Sequence, residues 1–427
     1  MTTVVPLHQQ SFSLDFETFS RTLVEEENLL IVQDLDGVCM GLVKDPLTRE
    51  IDPSYVQATK GFDGHFFVLT NGEHVGQRGV NGIVERAFGG RDRVQADSLY
   101  LPGLAAGGVQ WQTRQGNVSH PGVSEAELNF LAVVPAEIEQ HLQQFFQRYP
   151  EVLSPEEQQR GIQASVLDNM ASPTANLNTL AEQLRDRPDV YETLQREMAA
   201  LMDRFLAEAA QQGLADSFFV HYAPNLGRDA VGREIVRFAK AGDSGTTDFQ
   251  FMLRGAIKEA GVLALLNRYY HQRTGTYPLG EDFSVRQAPK AHEDLLHLAK
   301  DHFDPQHMPL IVGVGDTVTS QVDDEQAGQQ IVRRGGSDRN FLHLVQDIGR
   351  LCDRGNLVVY IDSSQGEVKN RKPLQLETTN GTTKVVEGPG DPRDNTDPLQ
   401  INVAFPGGFE QYTALFQAAA QQRAAHQ

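Results

Sequence analysis

Four short apolar runs constrain the fold of this chain more than any other feature of its sequence. Each is rich in β-branched or aromatic residues and is bounded by polar residues or glycine, which is typical of a strand buried on both faces of a parallel sheet. The runs are Leu29–Gln33, His65–Leu69, Pro309–Val314 and Leu357–Ile361. Because parallel strands need long crossovers, usually helices, the sequence predicts an α/β fold with a Rossmann-like parallel sheet core.

Polar side chains follow each of these runs directly. They are Asp34 and Asp36, Thr70 and Asn71, Asp316, and Asp362 with Ser363. Ligands of open parallel sheets bind beyond the carboxyl ends of the strands. A single polar strand end is explained by the chain leaving the sheet into water, but four of them at one edge indicate a shared ligand site.

A long segment separates the second run from the third. It is long enough to have a core of its own and contains three stretches with the apolar spacing of helices. These helices are predicted over Ala136–Tyr149, Val190–Gln212 and Gly255–Gln272. We therefore expect a core formed by residues 1–95 and 284–427, with a large α+β domain inserted at residues 96–283.

The last part of the chain carries two local signals. Asn380-Gly381 lies between two β-prone segments, which is the pattern of a two-residue hairpin turn. The segment Phe409–Gln422 is predicted to be a closing helix.

The charge of the chain limits its partners. Its 37 Lys and Arg residues stand against 57 Asp and Glu residues, which gives a net charge of −20. Such a chain is repelled by nucleic acid and by anionic membranes, so we expect neither as a partner.

No apolar run approaches the roughly 20 residues of a membrane-spanning helix. Two cysteines, Cys39 and Cys352, are too few for a disulfide framework, and the expected compartment is a reducing cytoplasm.

The sequence Asp34-Leu35-Asp36-Gly37 at the end of the first run carries the most chemical information. Two carboxylates two positions apart can bind a divalent cation that prefers oxygen ligands. One carboxylate can also attack phosphorus while the other transfers the proton of the leaving group. Gly37 allows the backbone to turn sharply and to point N–H groups at an anion. A plain Asx turn after a strand is the alternative interpretation.

Four motifs occur in the order found in the haloacid-dehalogenase-like phosphatases, and the chain resembles that superfamily through them. The segment Asp34-Leu35-Asp36-Gly37-Val38 matches the first motif, and Leu69-Thr70-Asn71-Gly72 matches the second. Lys290, on a predicted helix ahead of the fourth motif, stands where the third motif has its lysine. The segment Val314-Gly315-Asp316 matches the start of the fourth.

The resemblance implies a sheet core of the haloacid-dehalogenase type with an inserted cap, Mg²⁺ as cofactor and an aspartyl-phosphate intermediate. Asp34 would be the nucleophile and a ligand of Mg²⁺. Asp36 would protonate the leaving alkoxide, then activate water, and would ligate the metal through its backbone carbonyl. Asp316 would complete the metal site.

The resemblance also assigns the groups that bind phosphate. Thr70, the N–H of Asn71 and the backbone at Gly37 would hold phosphate oxygens. Lys290 would neutralise charge between the nucleophile and the phosphoryl group, because positioning and electrostatics dominate phosphoryl transfer.

The fourth motif departs from the pattern of the superfamily. A second acidic residue usually follows the first by four or five positions, but here Ser320 and Gln321 occupy those places. A hydroxyl group from Ser320, a water molecule or the carboxylate of Asp323 could take that metal position, and the sequence leaves the choice open.

The whole chain resembles the cyanobacterial salt-tolerance phosphatases that dephosphorylate glucosylglycerol 3-phosphate. The likeness includes Ser165–Asn178, His221–Arg228 and the segment at 402–408. It implies release of glucosylglycerol, a neutral compatible solute, with a cap that selects the sugar phosphate. Glu73 and His74, directly after the second motif, are the candidate substrate contacts nearest the chemistry.

Two other functions remain open at this point. The same chemistry could act on sucrose 6-phosphate or trehalose 6-phosphate. The chain could instead retain the fold as a non-catalytic regulatory partner of the glucosylglycerol-phosphate synthase, which is also a candidate partner of an active enzyme.

Overall fold

The chain divides into two compact units in the computed structural model, which describes residues 5–43, 46–76, 78–223, 225–229, 233–240, 243–324, 330–368 and 371–426. The main unit comprises Met1–His74, Val80–Gly122 and Gly255–Gln427, and the inserted unit comprises Val75–Gly79 and Val123–Arg254. The inserted unit is narrower than the segment 96–283 expected from the sequence, because residues 96–122 and 255–283 build part of the main unit.

The strands, in chain order, are β1 (Leu29–Gln33), β2 (Phe66–Leu69), β3 (Gly103–Ala105), β4 (Gln110–Gln112), β5 (Val118–Ser119), β6 (Val166–Leu167), β7 (Thr174–Asn176), β8 (Phe218–Ala223), β9 (Asn225–Arg228), β10 (Glu234–Val236), β11 (Asp248–Leu253), β12 (Leu310–Gly315), β13 (Thr319–Asp324), β14 (Gln330–Gly335), β15 (Leu357–Ile361), β16 (Gln375–Thr379), β17 (Thr382–Glu387) and β18 (Val403–Phe405). The helices are α1 (Phe16–Glu25), α2 (Pro53–Ala58), α3 (Val80–Phe88), α4 (Arg91–Ala96), α5 (Glu125–Arg148), α6 (Pro155–Ser165), α7 (Asn178–Gln183), α8 (Pro188–Gln211), α9 (Lys258–Thr274), α10 (His292–His302), α11 (Arg339–Leu351) and α12 (Gly408–His426). Among the described residues, no helix combines the length and the apolar character needed to cross a membrane.

The main unit is built on one sheet with the strand order β18-β15-β12-β1-β2-β3-β4-β5. Neighbouring strands from β18 through β3 are parallel, and β4 and β5 continue the sheet in antiparallel pairing. The four predicted strands are confirmed as β1, β2, β12 and β15, and they lie side by side. The expected α/β fold with a parallel sheet is therefore confirmed.

The sheet extends into the segment that the sequence assigned to the insertion. Gly103 in β3 pairs with Val68 in β2, and a Cβ atom at Gly103 would lie 2.2 Å from the carbonyl oxygen of Val68. This close approach, together with a φ of +138°, requires glycine at that position. Helix α9 packs against β1, β2 and β3 and so also belongs to the main unit.

Helices cover both faces of the sheet. Alternate residues of β12 point to opposite faces, as in any strand. Val312 and Val314 belong to the core that includes Phe416 of α12. A Cβ atom at Gly313 would meet Leu342 of α11 at 3.0 Å, so α11 lies close on the other face.

The local predictions differ in their outcome. The hairpin at Asn380-Gly381 is confirmed by the pairing of β16 with β17, and the closing helix is confirmed as α12. Helix α5 begins at Glu125 and runs through Pro135, so the predicted start at residue 136 is wrong. The reason is the capping box of Ser124 and Glu127, which starts the helix well before the proline.

The inserted unit is an α+β structure of its own. Its antiparallel sheet has the order β6-β7-β11-β8, and α5 and α8 contact strands of this sheet. Phe130 of α5 stacks on Phe218, with 5.3 Å between ring centroids, and Phe251 lies beside both rings.

Candidate active site

The parallel pairing brings the predicted motif residues to one edge of the sheet. Gln33 at the end of β1 is level with Val68 in β2 and with Val314 in β12. Asp34, Thr70 and Asp316 therefore emerge together at the carboxyl edge of three adjacent strands. The N–H of Asp34 donates to the carbonyl oxygen of Val314 at 2.9 Å, which fixes the backbone at the site.

Asp34 is buried at this edge and contacts a lysine. Its Oδ2 lies 3.0 Å from Nζ of Lys258, whereas its Oδ1 is buried and accepts no hydrogen bond from the described residues. Burial and the negative charge of Asp338 raise the pKa of the Asp34 carboxyl well above its usual range, and the positive charge of Lys258 opposes them. A further positive charge at this position would keep Asp34 ionised.

Lys258 makes the contact that the sequence assigned to Lys290. It is the first residue of α9 and is 5% exposed, and its Nζ bridges Asp34 and Asp338, with 2.6 Å to Oδ1 of Asp338. Burial lowers the pKa of Lys258, but the two carboxylates outweigh burial and hold it above the usual value.

The expectation for Lys290 is therefore corrected. Lys290 is exposed in the bend just before α10. The prediction relied on its distance from the fourth motif along the chain, but α9, not α10, is the helix that packs on β1 and β2. The lysine at the start of α9, Lys258, therefore lies next to the end of β1.

Asp338 provides the second acidic residue that the fourth motif lacked in the sequence. It is fully buried, and its Oδ2 accepts hydrogen bonds from the N–H groups of Asp316 at 2.9 Å and Thr317 at 3.0 Å. Burial acts to raise the pKa of Asp338, but the charge of Lys258 and these hydrogen bonds outweigh it and hold the pKa below its usual value. Asp338 is therefore an ionised carboxylate.

Two of the candidates weighed for this position, Ser320 and Asp323, lie on the hairpin of β13 and β14. The hairpin of β13 and β14 is inserted between Asp316 and Asp338, which moves the acidic residue far along the chain. Ser320 lies in this hairpin, and its hydroxyl accepts a hydrogen bond from the N–H of Asp391. The side chain of Asp323 lies outside the described part of the structure.

Asp34, Asp316 and Asp338 form one acidic cluster. One carboxylate oxygen from each lies within 4.8 Å of the other two. Burial and the charge of Asp338 raise the pKa of Asp316 to about 7. Because Oδ1 of Asp34 and Oδ2 of Asp316 are buried and accept no hydrogen bond within the described residues, the cluster has the oxygen donors that suit a hard divalent cation.

Asp36 is half-buried next to a second cation that the sequence reasoning missed. Nε of Arg49 lies 3.0 Å from Oδ1 of Asp36. Burial raises the pKa of Asp36, and the guanidinium of Arg49 opposes this effect. The carboxyl group can thus hold a proton more readily than an exposed aspartate.

Gly37 shapes the turn after Asp36 but does not act as expected. Its φ is +77°, and a Cβ atom there would lie 2.3 Å from Oδ2 of Asp316. Its N–H donates a hydrogen bond to the carbonyl oxygen of Met40 at 2.9 Å. The chain turns back at this point, and Asp36 forms an isolated β-bridge with Met40. The expectation that this N–H faces phosphate is therefore corrected: Gly37 lets the turn approach the acidic cluster.

The second motif contributes a buried hydroxyl and an exposed amide. Thr70 is 3% exposed, and its Oγ1 accepts a hydrogen bond from the N–H of Gly72 at 3.2 Å. Asn71 is exposed at the same strand end. Both follow the carboxyl end of β2, and their binding of phosphate stays a prediction.

Glu73 and His74 are buried rather than open to a ligand. The ring Nε2 of His74 lies 3.1 Å from the carbonyl oxygen of Gly103, and burial lowers the pKa of His74 to about 4. His74 is therefore a neutral packing residue, which corrects its assignment as a substrate contact. Glu73 is 4% exposed, and its Oε2 accepts a hydrogen bond from Gln110 at 3.5 Å. Its role with substrate stays a prediction.

Some sequence signals could have indicated the missed residues. Lys258 begins a helix in which 11 of 17 residues are buried, and the apolar residues Ala260 and Val262 that closely follow it indicate a buried helix start. Asp338 follows Gly335-Gly336-Ser337 and directly precedes the amphipathic helix α11, which is the usual place of an N-cap. Arg49 carries no local signal, because its contact depends on the tertiary fold.

Comparison with known proteins gives matches over most of the chain. Residues 28–420 match the family described as glucosylglycerol-phosphate phosphatase. A glucosylglycerol-phosphate phosphatase of Synechocystis sp. is 68% identical over 420 residues, which cover 98% of this chain and 99% of that protein. Among solved structures, a trehalose-6-phosphate phosphatase C-terminal domain from C. albicans is 10% identical with a TM-score of 0.42, and the match covers 96% of this chain and 99% of that one. A trehalose-6-phosphate phosphatase from Aspergillus fumigatus, also 10% identical, has a TM-score of 0.39 with the same coverage of 96% and 99%.

Proposed function

Because the chain belongs to the family of glucosylglycerol-phosphate phosphatases, we propose that it hydrolyses glucosylglycerol 3-phosphate to glucosylglycerol and inorganic phosphate, with Mg²⁺ as cofactor and through an aspartyl-phosphate intermediate. Membership in the family makes it a phosphoric monoester hydrolase. The observation that carries the mechanism is the buried contact between Lys258 and Asp34 within the acidic cluster.

The carboxylates of Asp34, Asp316 and Asp338 would hold Mg²⁺, with the backbone carbonyl of Asp36. When bound, Mg²⁺ supplies the positive charge that offsets the buried carboxylates and the phosphate oxygens. Oδ1 of Asp34 and Oδ2 of Asp316, which are buried and accept no hydrogen bond within the described residues, support this assignment.

In the first step, a carboxylate oxygen of Asp34 attacks phosphorus, and the bond between phosphorus and the glycerol oxygen breaks. Asp36 gives its proton to the departing oxygen, which yields neutral glucosylglycerol. The raised pKa of Asp36 supports this role, since it favours the protonated form before the step. Arg49 orients the carboxyl group through its contact with Oδ1.

In the second step, Asp36 accepts a proton from a water molecule whose oxygen attacks phosphorus. The bond between phosphorus and Asp34 breaks, and inorganic phosphate and the free carboxylate are restored. Asp36 is then protonated again, so one residue serves as acid and then as base. Throughout both steps, Lys258 balances negative charge at Asp34, and Thr70 with the N–H of Asn71 is proposed to hold phosphate oxygens.

The inserted unit is proposed to act as the cap and to select the sugar. Release of a neutral compatible solute would serve salt tolerance. The proposed location is the cytoplasm, where the free Cys39 and Cys352 are expected to stay reduced. In a cell that makes glucosylglycerol, replacement of this protein by Asp34→Asn should cause the phosphorylated solute to accumulate in high salt; unchanged solute levels would contradict the role.

The experiment that tests the proposal measures phosphate release from glucosylglycerol 3-phosphate, sucrose 6-phosphate and trehalose 6-phosphate, each with and without Mg²⁺. We expect Mg²⁺-dependent turnover with preference for the first substrate. Asp34→Asn should lower kcat by more than about 10³-fold, because loss of a nucleophile removes the covalent route. The exposed Asp301→Asn is the matched control and should leave kcat unchanged.

Each outcome separates one alternative. Preference for sucrose 6-phosphate or trehalose 6-phosphate would replace the substrate and keep the mechanism. Near-normal turnover by Asp34→Asn would refute the mechanism. If purified protein hydrolyses none of the three with Mg²⁺, the chain is better explained as a non-catalytic partner of the synthase, and binding to that synthase becomes the measurement to make.

A further inference from the structure

A second group of metal-ligating side chains lies in the main unit, apart from the acidic cluster. It consists of His292, the first residue of α10, and His343 and Asp347, which are one turn apart on α11. One potential ligand atom of each residue lies within 4.8 Å of the other two. None of these residues belongs to the four motifs or to the proposed mechanism.

Both imidazole rings direct Nε2 at one carboxylate oxygen. Nε2 of His292 lies 2.9 Å from Oδ2 of Asp347, and Nε2 of His343 lies 3.2 Å from the same atom. The two rings are stacked with 4.4 Å between their centroids. The 2.9 Å contact is a hydrogen bond, whereas the 3.2 Å separation is close to the roughly 3.3 Å between two ligands that each lie about 2.0–2.1 Å from a tetrahedral ion such as Zn²⁺.

The carboxylate is also held from its other side. Oδ1 of Asp347 accepts hydrogen bonds from Nε2 of Gln346 at 3.2 Å and from Nη1 of Arg350 at 3.1 Å. These bonds leave Oδ2 directed toward the two imidazoles. Partners that orient a ligand in this way are typical of metal sites.

The cluster is reachable from solvent. The side chains of His292, His343 and Asp347 are 30%, 22% and 18% exposed, so an ion can enter from solvent.

We propose that His292, His343 and Asp347 form a binding site for a d-block divalent cation of the Zn²⁺ type, which joins the start of α10 to α11. Two imidazole nitrogens and one carboxylate oxygen suit Zn²⁺ or Co²⁺ and are disfavoured by Mg²⁺, which prefers oxygen ligands. The bound ion stabilises the packing of the two helices. This site is independent of the proposed phosphatase activity.

The test is calorimetric titration of the metal-stripped full chain with Zn²⁺ at pH 7.5 in saturating Mg²⁺, so that Mg²⁺ competes for the acidic cluster. We expect one Zn²⁺ per chain and a rise in the thermal unfolding midpoint. His343→Gln and Asp347→Asn should each weaken Zn²⁺ binding by at least about tenfold. Loss of a residue that only orients a ligand already lowers metal affinity by about this factor, and loss of the ligand itself should lower it at least as much. Co²⁺ in place of Zn²⁺ should give visible absorption bands that both variants lack.

Two controls keep the result interpretable. His297→Gln changes an exposed histidine of the same helix and should bind Zn²⁺ like the unaltered chain. Asp316→Asn alters the acidic cluster and should also retain the site. His292→Gln is the second route if another variant does not fold, as judged by circular dichroism. The proposal is overturned if no Zn²⁺ binds, if His343→Gln binds it with unchanged affinity, or if Asp316→Asn alone abolishes binding.

Discussion

Substitution of Lys258 by methionine tests the electrostatic design of the active site most sharply. Methionine keeps the length and apolar stem of lysine but removes the charge that bridges Asp34 and Asp338. Both carboxylates are then left buried in a negative cluster, with Asp338 fully buried and the Asp34 side chain 9% exposed. Lys290→Met is the matched control, because Lys290 is an exposed lysine in a bend.

The expected effects follow from the two contacts. Removal of one partner from a buried ion pair destabilises a protein by about 3–5 kcal/mol, because the remaining charge is left uncompensated. Loss of one preorganised electrostatic group at a reaction centre lowers kcat by about 10²–10³-fold. Lys290→Met should leave both the free energy of unfolding and kcat within measurement error.

Urea denaturation and steady-state phosphate release measure these effects. The double variant Lys258→Met/Asp338→Asn removes a positive and a negative charge together, so it should recover part of the stability lost in Lys258→Met without recovering kcat. The reasoning is refuted if Lys258→Met keeps more than half of the original kcat, or if Lys290→Met loses as much activity as Lys258→Met does.

Three further predictions concern residues around the site. Burial lowers the pKa of His74 to about 4 in the folded chain, whereas the same imidazole has a pKa near 6.5 in the unfolded chain. Because the unfolded chain takes up this proton first, the free energy of unfolding is unaffected by His74 above pH 6.5 and falls by about 3 kcal/mol as the pH drops toward 4. Urea denaturation at several pH values should show this loss in the unaltered chain and a smaller loss in His74→Gln. Gly37→Ala should lower kcat at least about tenfold, because the new Cβ collides with a carboxylate of the cluster. Gly64→Ala is the control, because Gly64 has a similar φ of +79° but a Cβ atom there would meet no atom closer than 3.6 Å. This control should lower the free energy of unfolding by only about 1–2 kcal/mol. Arg49→Met removes a charge that lowers the pKa of Asp36, so the basic limb of the kcat–pH profile should move to higher pH.

Each of these predictions has an outcome that contradicts it. Equal acid destabilisation of His74→Gln and the unaltered chain would mean that His74 is not the group that titrates. Equal kcat losses in Gly37→Ala and Gly64→Ala would show that strain, not the approach to the cluster, is the cause. An unmoved or lowered basic limb in Arg49→Met would remove Asp36 from its role as the acid.

The strands and the motifs that follow them could be predicted because their signals are local. Leu29–Gln33 and Leu357–Ile361 are apolar runs with clear ends, and the structure gives them the same bounds. A parallel sheet then aligns the strand ends, so Asp34, Thr70 and Asp316 share one edge without further information.

Lys258 and Asp338 could not be identified with the same reasoning, because their place depends on what is inserted around them. The hairpin of β13 and β14 separates Asp338 from Asp316, and the choice between α9 and α10 is decided by packing on the sheet. Spacing along the chain favoured Lys290, whereas the three-dimensional contacts favour Lys258. The protonation states of the buried carboxylates likewise follow from neighbours that are distant in sequence.

The most direct test of the account is to trap the phosphorylated enzyme. Purified protein with Mg²⁺ and glucosylglycerol 3-phosphate labelled in the phosphoryl group is quenched in acid during turnover, reduced with borohydride and mapped by mass spectrometry. An acyl phosphate is reduced to an alcohol, so the account predicts that Asp34, and no other carboxylate, is converted to homoserine. Full turnover with no label on the protein, or reduction at another residue, would contradict it.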